Sequence, residues 1–247
     1  MTQQQLADAA VMTRSHIAHI EAGRRIPSKE DARRLDRALN TGNVLSSFRP
    51  QDDSATADYF EAARQLEQQA TMIREFGLSL VPGILQTKEY ARTVLGSGFP
   101  PWSDEERDKR LRTRLERAKI LEDPVTPVVW VLLDESVLRR PVGGPEVMAE
   151  QVIHIVRLAE NQRIRVHVMP LGLGYHPLLP GMVTLMRFED QPPAAYCEGL
   201  YMGKIHDAPT MVERIQSTYD LALGDALPMK ESLALMRTTA KGYGRHD

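Results

Sequence analysis

The stretch that most constrains this chain is its first, MTQQQLADAAVMTRSHIAHIEAGRRIP, residues 1–27. Two short helical patterns are joined by a tight turn and followed by a basic loop. Thr2 with Gln5 has the spacing of a capping box and opens a helix to about Ala10. Thr13 caps a second helix through Glu21, with Ile17 and Ile20 on its inner face. Gly23 stands just past its end, where a left-handed residue closes a helix at little cost. Ser28 with Asp31 opens a third helix, along which Ala32, Leu35 and Leu39 recur up to the breaker Asn40 to Asn43.

The totals bound what such a start can belong to. At 247 residues one or two domains are expected. Hydrophobic residues at 42% and charged residues at 26% are those of a soluble globular protein. A net charge of −2 leaves no overall bias toward polyanions, so a nucleic-acid site must be local. Cys197 is the sole cysteine, which excludes an internal disulfide and a cysteine-held zinc and fits a reducing cytosol. The longest apolar run, Val128 to Leu133, is far short of the roughly 20 residues that span a bilayer. The N-terminus lacks the basic start and apolar core of a signal peptide, so a cytoplasmic place is expected.

Past the third helix, Arg49 to Ala57 reads as a linker: Pro50, two aspartates and small residues, with no apolar period. Tyr59, Ala63, Leu66, Ala70 and Ile73 then trace one face of a long helix. VPGILQT breaks the pattern, Thr87 caps a short helix carrying Tyr90, Ala91 and Val94, and Ser103 with Glu106 caps another with Leu111, Leu115 and Ala118 inward. After Pro124 the character changes. Thr126 to Leu133 is β-branched and apolar, a strand buried on both faces. VGGP places Pro145 at a first helical position, with Met148, Val152, Ile155 and Ala159 as the buried stripe. RIRVHVMP, MVTLMRF and AAYCEGL read as strands, and two helices close the chain, from about Pro209 and Pro228. The expected fold is therefore a mainly α N-terminal module (1–48), a linker (49–57) and a C-terminal domain (58–240). That domain is helical over 58–122 and an α/β, or α+β, mixed sheet with helices over 125–240.

A helix that reads DNA presents short polar side chains at its N-terminal end and apolar ones behind. Thr13, Arg14, Ser15, His16 and His19 meet the first demand, and Ile17 and Ile20 the second. Arg14 suits a bidentate contact to guanine, while Arg24, Arg25 and Lys29 suit phosphates. The alternative on spacing alone is a small helical bundle with a solvated basic face. Leu6-Ala7, Ser15, Ile17, Ile20-Glu21, Gly23 and Pro27 fall on the pattern of the Cro/repressor, or xenobiotic-response-element, class of helix-turn-helix, which this segment resembles. The resemblance implies that Gln3 braces the DNA backbone and the recognition helix, and that Arg14, Ser15 and His19 face the major groove. Two departures stand out. The family's first helix is missing, which predicts either a start upstream of Met1 or a decayed module. Val11 occupies the turn position that the family fills with glycine. If the backbone there needs φ > 0, a β-branched residue costs on the order of 1–3 kcal/mol.

The remainder carries a second resemblance. SLVPGILQTKEYARTVL, RLERAKIL, LDESVLRRPVGGPEVMAEQVIHI, IRVHVMPLGLGYHPLLPGMVTLMRFED and YCEG follow in order. Together they resemble the C-terminal domain of unknown function of actinobacterial antitoxin-like regulators, over nearly everything from Asp58 to Arg237. That resemblance implies a small partner protein or a signal bound by this domain. Read from the residues, Leu85, Gln86 and Tyr90 either line a groove or serve a chain reversal. Glu135 and Glu198 end predicted strands, where α/β sheets bind ligands, or they pair structurally with Arg139 and Arg140. Tyr175 and His176 form a lid or an ordinary surface loop. VGGP is a packing turn or an anion cradle, and the charged run Arg107 to Lys119 is a solvated face or a second nucleic-acid patch.

No catalytic or metal-binding pattern emerges, and no cofactor is expected. The seven histidines lack metal spacing apart from His16 and His19, and the glycine pair at 96–98 lacks the surroundings of a nucleophile elbow. Cys197 reads as a packing residue. The expectation is a DNA-binding regulator, a homodimer on its operator, whose C-terminal domain binds a small partner protein or a ligand. The rival expectation is a partner-binding protein that acts without DNA.

Overall fold

The chain divides into two compact units, Met1–Ala57 and Asp58–Asp247. The computed structural model describes residues 1–25, 27–42, 44–47, 53–98, 101–200 and 202–244, with Lys29, Ser47 and residues 53–60 described through their backbone alone.

The first unit is built from short helices: α1 (Gln3–Ala10), α2 (Arg14–Glu21), α3 (Lys29–Leu39) and α4 (Val44–Ser47). Each of the first three starts on a side-chain cap. Thr2 and Gln5 exchange both bonds of a capping box, at 3.2 and 2.8 Å. The Thr13 hydroxyl accepts from the His16 N–H at 3.2 Å and the Ser28 hydroxyl from the Asp31 N–H at 3.0 Å. Leu6, Ala7, Ala10, Ile17 and Leu35 close on one another as the core, with Met12, Ile20, Ala38 and Leu45 packed around them. Asp36 on α3 is buried and holds α4 by accepting from the Thr41 hydroxyl at 2.7 Å and from the amides of Leu45 and Ser46 at 2.8 and 2.9 Å. Burial works to raise its pKa, but these bonds outweigh it and hold the carboxyl at about 2.

The turn between α1 and α2 settles the question raised by Val11. Its backbone is left-handed, φ 54° and ψ 52°, and its side chain is 77% exposed. A β-branched residue therefore sits where glycine is favoured and gains little burial in exchange.

Helix α5 (Asp53–Gln69) begins inside the segment read as a linker, whose residues 49–52 lie outside the described ones. Nothing after Pro50 breaks a helix, and a helix can extend without an apolar period of its own; the linker reading of 53–57 is corrected accordingly.

The second unit contains a six-stranded mixed sheet in the order β3-β2-β1-β4-β5-β6. The strands are β1 (Met72–Gly77), β2 (Val128–Asp134), β3 (Ile164–Met169), β4 (Met182–Arg187), β5 (Ala194–Gly199) and β6 (Met202–His206). β1, β2 and β3 run parallel, and β4, β5 and β6 add an antiparallel half through β1. The helices are α6 (Lys88–Gly96), α7 (Asp104–Ala118), α8 (Glu135–Arg139), α9 (Pro145–Glu160), α10 (Pro209–Asp225) and α11 (Met229–Tyr243). Alternation along β2 assigns the faces: Val131 and Leu133 join one core with Tyr90, Met148, Val152 and Met236, while Leu132 joins the other with Phe76, Tyr219 and Ala222. The sheet is thus covered on one side by α6, α9 and α11 and on the other by α10.

Two strands correct the sequence reading. The 58–122 region is not wholly helical, because β1 lies within it as a central strand. Ala70 and Ile73 look like one helical face, yet α5 stops at Gln69 and Ile73 is fully buried in β1, paired to Val129 and Met186. Over so short a run the partner strands, not the local period, decide. β6 was not expected at all; MGKIH is polar and half-exposed, and its pairing to β5 makes it a strand.

Candidate functional site

In the first unit, α2 turns Ile17 inward and leaves Arg14, Ser15 and His19 exposed. Thr13 is exposed and spends its hydroxyl oxygen on the cap. Arg24 and Arg25 follow on the turn, where their N–H groups and that of Gly23 close the end of α2 on the carbonyls of His19 and Ile20. The side chains of Arg14, Arg24 and Arg25 are exposed and carry no ion pair among the described residues. Gln3 donates through Nε2 to Glu21 Oε2 at 2.7 Å, bridging α1 and α2. His16 is placed differently from its neighbours: it is half-buried, with Nε2 3.8 Å from the Asp31 carboxylate, so it faces α3. The side chain of Lys29 lies outside the described residues.

In the second unit the ends of the parallel strands are filled. Asp134, the last residue of β2, accepts from the Ser136 N–H at 2.8 Å and meets His176 Nε2 at 3.2 Å. Glu135 accepts from Arg139 at 2.6 Å and from the Leu171 N–H at 2.9 Å, an internal tie rather than an open ligand site. His176 is buried edge-on to Phe76, whereas Tyr175 beside it is exposed. The pair read together as a lid therefore splits into an anchor and a surface residue. Leu85 and Tyr90 are also buried: the Tyr90 hydroxyl accepts from the Val81 N–H at 3.1 Å, and Gln151 donates to the Leu85 carbonyl at 2.8 Å. VPGILQT is a chain reversal pinned by buried polar side chains. Thr87 does stand at the N-cap of α6, but its N–H goes to Gln151 at 2.7 Å and its hydroxyl makes no capping bond. Gly143 and Gly144 hold φ of 79° and 92°, which makes VGGP the turn into α9.

An open concavity of this unit lies instead on the face shared by β1, β4 and β5. A cavity of about 220 Å³ is lined by Arg64 and Glu67 of α5, Glu75 of β1, Gln86, Arg114 and Arg117 of α7, Thr184 of β4, and Tyr196 and Glu198 of β5. Leu80, Val81, Val94, Met182 and Met186 supply apolar wall. Register explains the convergence, since Glu75 pairs with Thr184 and Thr184 with Tyr196, three adjacent side chains on one face. Gly203 on β6 belongs to the same arrangement, because a Cβ there would collide with the Tyr196 phenol.

Charges crowd this wall. Arg117 donates to both oxygens of Glu67, at 2.9 and 3.0 Å, and Arg114 donates to Gln86 Oε1 at 3.1 Å. Burial, helped by the charges of Glu67 and Glu198, pushes the Glu75 carboxyl up to about 8, against Arg117 and Arg114. Burial also raises the Glu198 carboxyl, opposed by Arg114 and Arg117, and lifts the Tyr196 phenol to about 12. Burial and the neighbouring Arg117 lower the pKa of Arg114. Glu198 and Gln86, which the sequence left as two separate candidates, line the same cavity. The arginines that answer Glu198 are Arg114 and Arg117, not Arg139 and Arg140, and they come from the run read as a solvated face. Cys197 points away from this cavity; burial raises its thiol pKa despite Lys204 opposite it. Glu75 was missed because β1 was missed; the signal was a charged pair, Arg74 and Glu75, set between Ile73 and Phe76.

The two-part architecture has a counterpart in both family comparisons. Residues 1–42 match the family described as Helix-turn-helix, so the first unit is a helix-turn-helix of the Cro/C1 type. Residues 60–238 match the family described as Domain of unknown function (DUF5753), and the chain belongs to that family. No curated protein matches the chain, and no solved structure matches it. No helix among the described residues is long and apolar enough to cross a membrane.

Proposed function

We propose that this protein is a transcription regulator of the actinobacterial antitoxin-like kind. It reads operator DNA in the cytoplasm through α2 and binds a small partner protein or ligand through its second unit, which biases DNA occupancy. The observation that carries the DNA reading is the exposed set of Arg14, Ser15, His19, Arg24 and Arg25, without ion pairs among the described residues, around a helix whose other face is packed on α1 and α3. One such helix reads a half-site, so the working form on DNA is a dimer. The reading assigns no catalytic step to either unit. The test is fluorescence anisotropy with the protein's own promoter, with unrelated competitor DNA, over about 50–200 mM salt. Selective binding that weakens with salt supports the proposal. Equal affinity for promoter and competitor at low salt favours the rival, a partner-binding protein with a helix-turn-helix that no longer reads DNA.

A further inference from the structure

The wall of the second unit's cavity carries three guanidinium groups, Arg64, Arg114 and Arg117, and three carboxyls, Glu67, Glu75 and Glu198. Two of the arginines are committed: Arg117 gives two bonds to Glu67, and Arg64 is paired at 2.7 Å with Glu61, one turn earlier on α5. Arg114 makes no ion pair among the described residues and gives one bond, to the neutral Gln86 at 3.1 Å. The Glu198 carboxylate, exposed at the rim, accepts no hydrogen bond among them. The two act on each other through space without meeting, so one charge of each sign stands uncommitted on the same wall. Beside them Glu75 is only 6% exposed, and its Oε2 has no hydrogen-bond partner among the described residues. A buried polar atom left open in a cavity wall marks a place for a bonding group of a ligand.

We propose that this cavity binds a small apolar amino acid as its zwitterion, the carboxylate received by Arg114 and Glu75 Oε2, the ammonium directed to Glu198 and the side chain laid along Val81, Val94 and Met182. The proposal deepens the reading above that the second unit answers to a ligand, and rests on it. A zwitterion meets both charges that the wall leaves apart and adds no net charge to a partly buried site, where an unbalanced one is costly. A lone anion would satisfy Arg114 and leave Glu198 facing a like charge, and a lone cation would do the reverse. Depth sets the orientation: Glu75 is buried and Arg114 half-buried, while Glu198 stands at the mouth, where the ammonium keeps part of its water. Burial, with Glu67 and Glu198, holds the Glu75 carboxyl at about 8 against Arg117 and Arg114, so at neutral pH it has a proton to donate to the ligand carboxylate. The Thr184 and Tyr196 hydroxyls line the same space. At about 220 Å³ the cavity is smaller than the roughly 300–1,000 Å³ of sites for drug-sized ligands, which limits the amino acid to a short side chain.

The test is calorimetric titration of the full chain at about pH 7, where both main-chain groups of an amino acid are ionised, with L-valine, L-leucine and L-methionine. Isovalerate, isobutylammonium and isobutanol are valine without its ammonium, without its carboxylate and with neither charge. The expected result is saturable binding of at least one amino acid, about tenfold or more tighter than any of these relatives. Arg114→Gln weakens amino-acid binding about tenfold or more and shifts preference toward isobutylammonium. Glu198→Gln, at the rim, weakens it about two- to fivefold and shifts preference toward isovalerate. A merely structural role for either residue would change all ligands alike. Glu75→Gln, which keeps a donor, leaves binding within about threefold, and loss of binding there overturns the part given to Glu75. No saturable binding of any of the three amino acids to the wild type overturns the proposal. Equal or tighter binding of a relative, or unchanged selectivity in both charge variants, overturns it as well. Operator binding by the same samples separates it from the wider reading. Amino acid bound with operator affinity unchanged upholds the site and overturns its control of DNA. Amino acid bound with no operator recognition upholds the site and overturns the DNA reading.

Discussion

Gln3 Nε2 donates to Glu21 Oε2 at 2.7 Å, tying the first residue of α1 to the last residue of α2. Both ends of α2 are thereby held: Thr13 caps its start and Gln3 steadies its finish. Gln3→Ala removes the tie at an exposed site, so the stability loss should be small, about 0.5–1 kcal/mol. Operator affinity should fall further than that loss explains, because the angle of α2 is no longer set. Chemical unfolding and anisotropy on the same variant check the two effects.

Val11→Gly should stabilise the first unit by about 1 kcal/mol. The left-handed backbone at φ 54° costs a β-branched residue more than glycine loses in chain entropy, and an exposed side chain forfeits little packing. The measurement is the unfolding midpoint of the variant against wild type; a lower midpoint would show that the turn carries no strain.

Arg117→Ala should destabilise the second unit by roughly 3–5 kcal/mol, the range for stranding one charge of a buried pair. Glu67 is nearly enclosed and loses both its bonds from Arg117. Replacing both partners, Glu67→Gln with Arg117→Met, should cost less than Arg117→Ala, a non-additivity that denaturant titration of the variants would read.

Glu75 makes stability depend on pH in a defined sense. Its ordinary value is 4.5 and the fold raises it to about 8, chiefly through burial. Between these values the folded chain binds a proton that the unfolded chain releases. The contribution is therefore complete below about 4.5 and is lost as pH rises to about 8. Glu198, raised by burial, acts in the same direction, while Arg114 and Arg117 oppose both. Wild-type unfolding midpoints should fall across this window more steeply than those of Glu75→Gln, and parallel curves would remove Glu75 as the source.

On DNA, Arg14→Ala should cost about 1–3 kcal/mol on the preferred operator and relax preference at one base pair. Arg24→Ala and Arg25→Ala should weaken binding to all sequences alike and each reduce the salt slope by about one unit. Anisotropy with operator variants at several salt concentrations distinguishes the two patterns.

Much of the fold was legible locally. The caps at Thr2, Thr13, Ser28 and Ser103 are where short-range chemistry puts them, because each satisfies an amide within three residues. β2 and α9 were legible from unbroken apolar runs and stripes. β1 was not, since Arg74 and Glu75 interrupt a run too short to show a period. Arg74 is accommodated on the other face by an ion pair with Asp220 and a stack on Tyr219, residues about 145 positions away.

The site divides in the same way. The exposed side of α2 follows from helical spacing once Ile17 is known to face inward, so Arg14, Ser15 and His19 could be named from residues 13–21 alone. His16 shares that spacing, yet Asp31 of another helix draws it in. The cavity exists only through pairing across the sheet: register sets Glu75 beside Thr184 and Tyr196, and α7 brings Arg114 and Arg117 over them. Sequence by itself determined where the capped helices of the first unit start and that Val11 stands at their turn, since those depend on neighbours within a few residues. The tertiary structure alone decided which charges are buried together, because burial and Coulomb interactions act between residues that the chain keeps far apart.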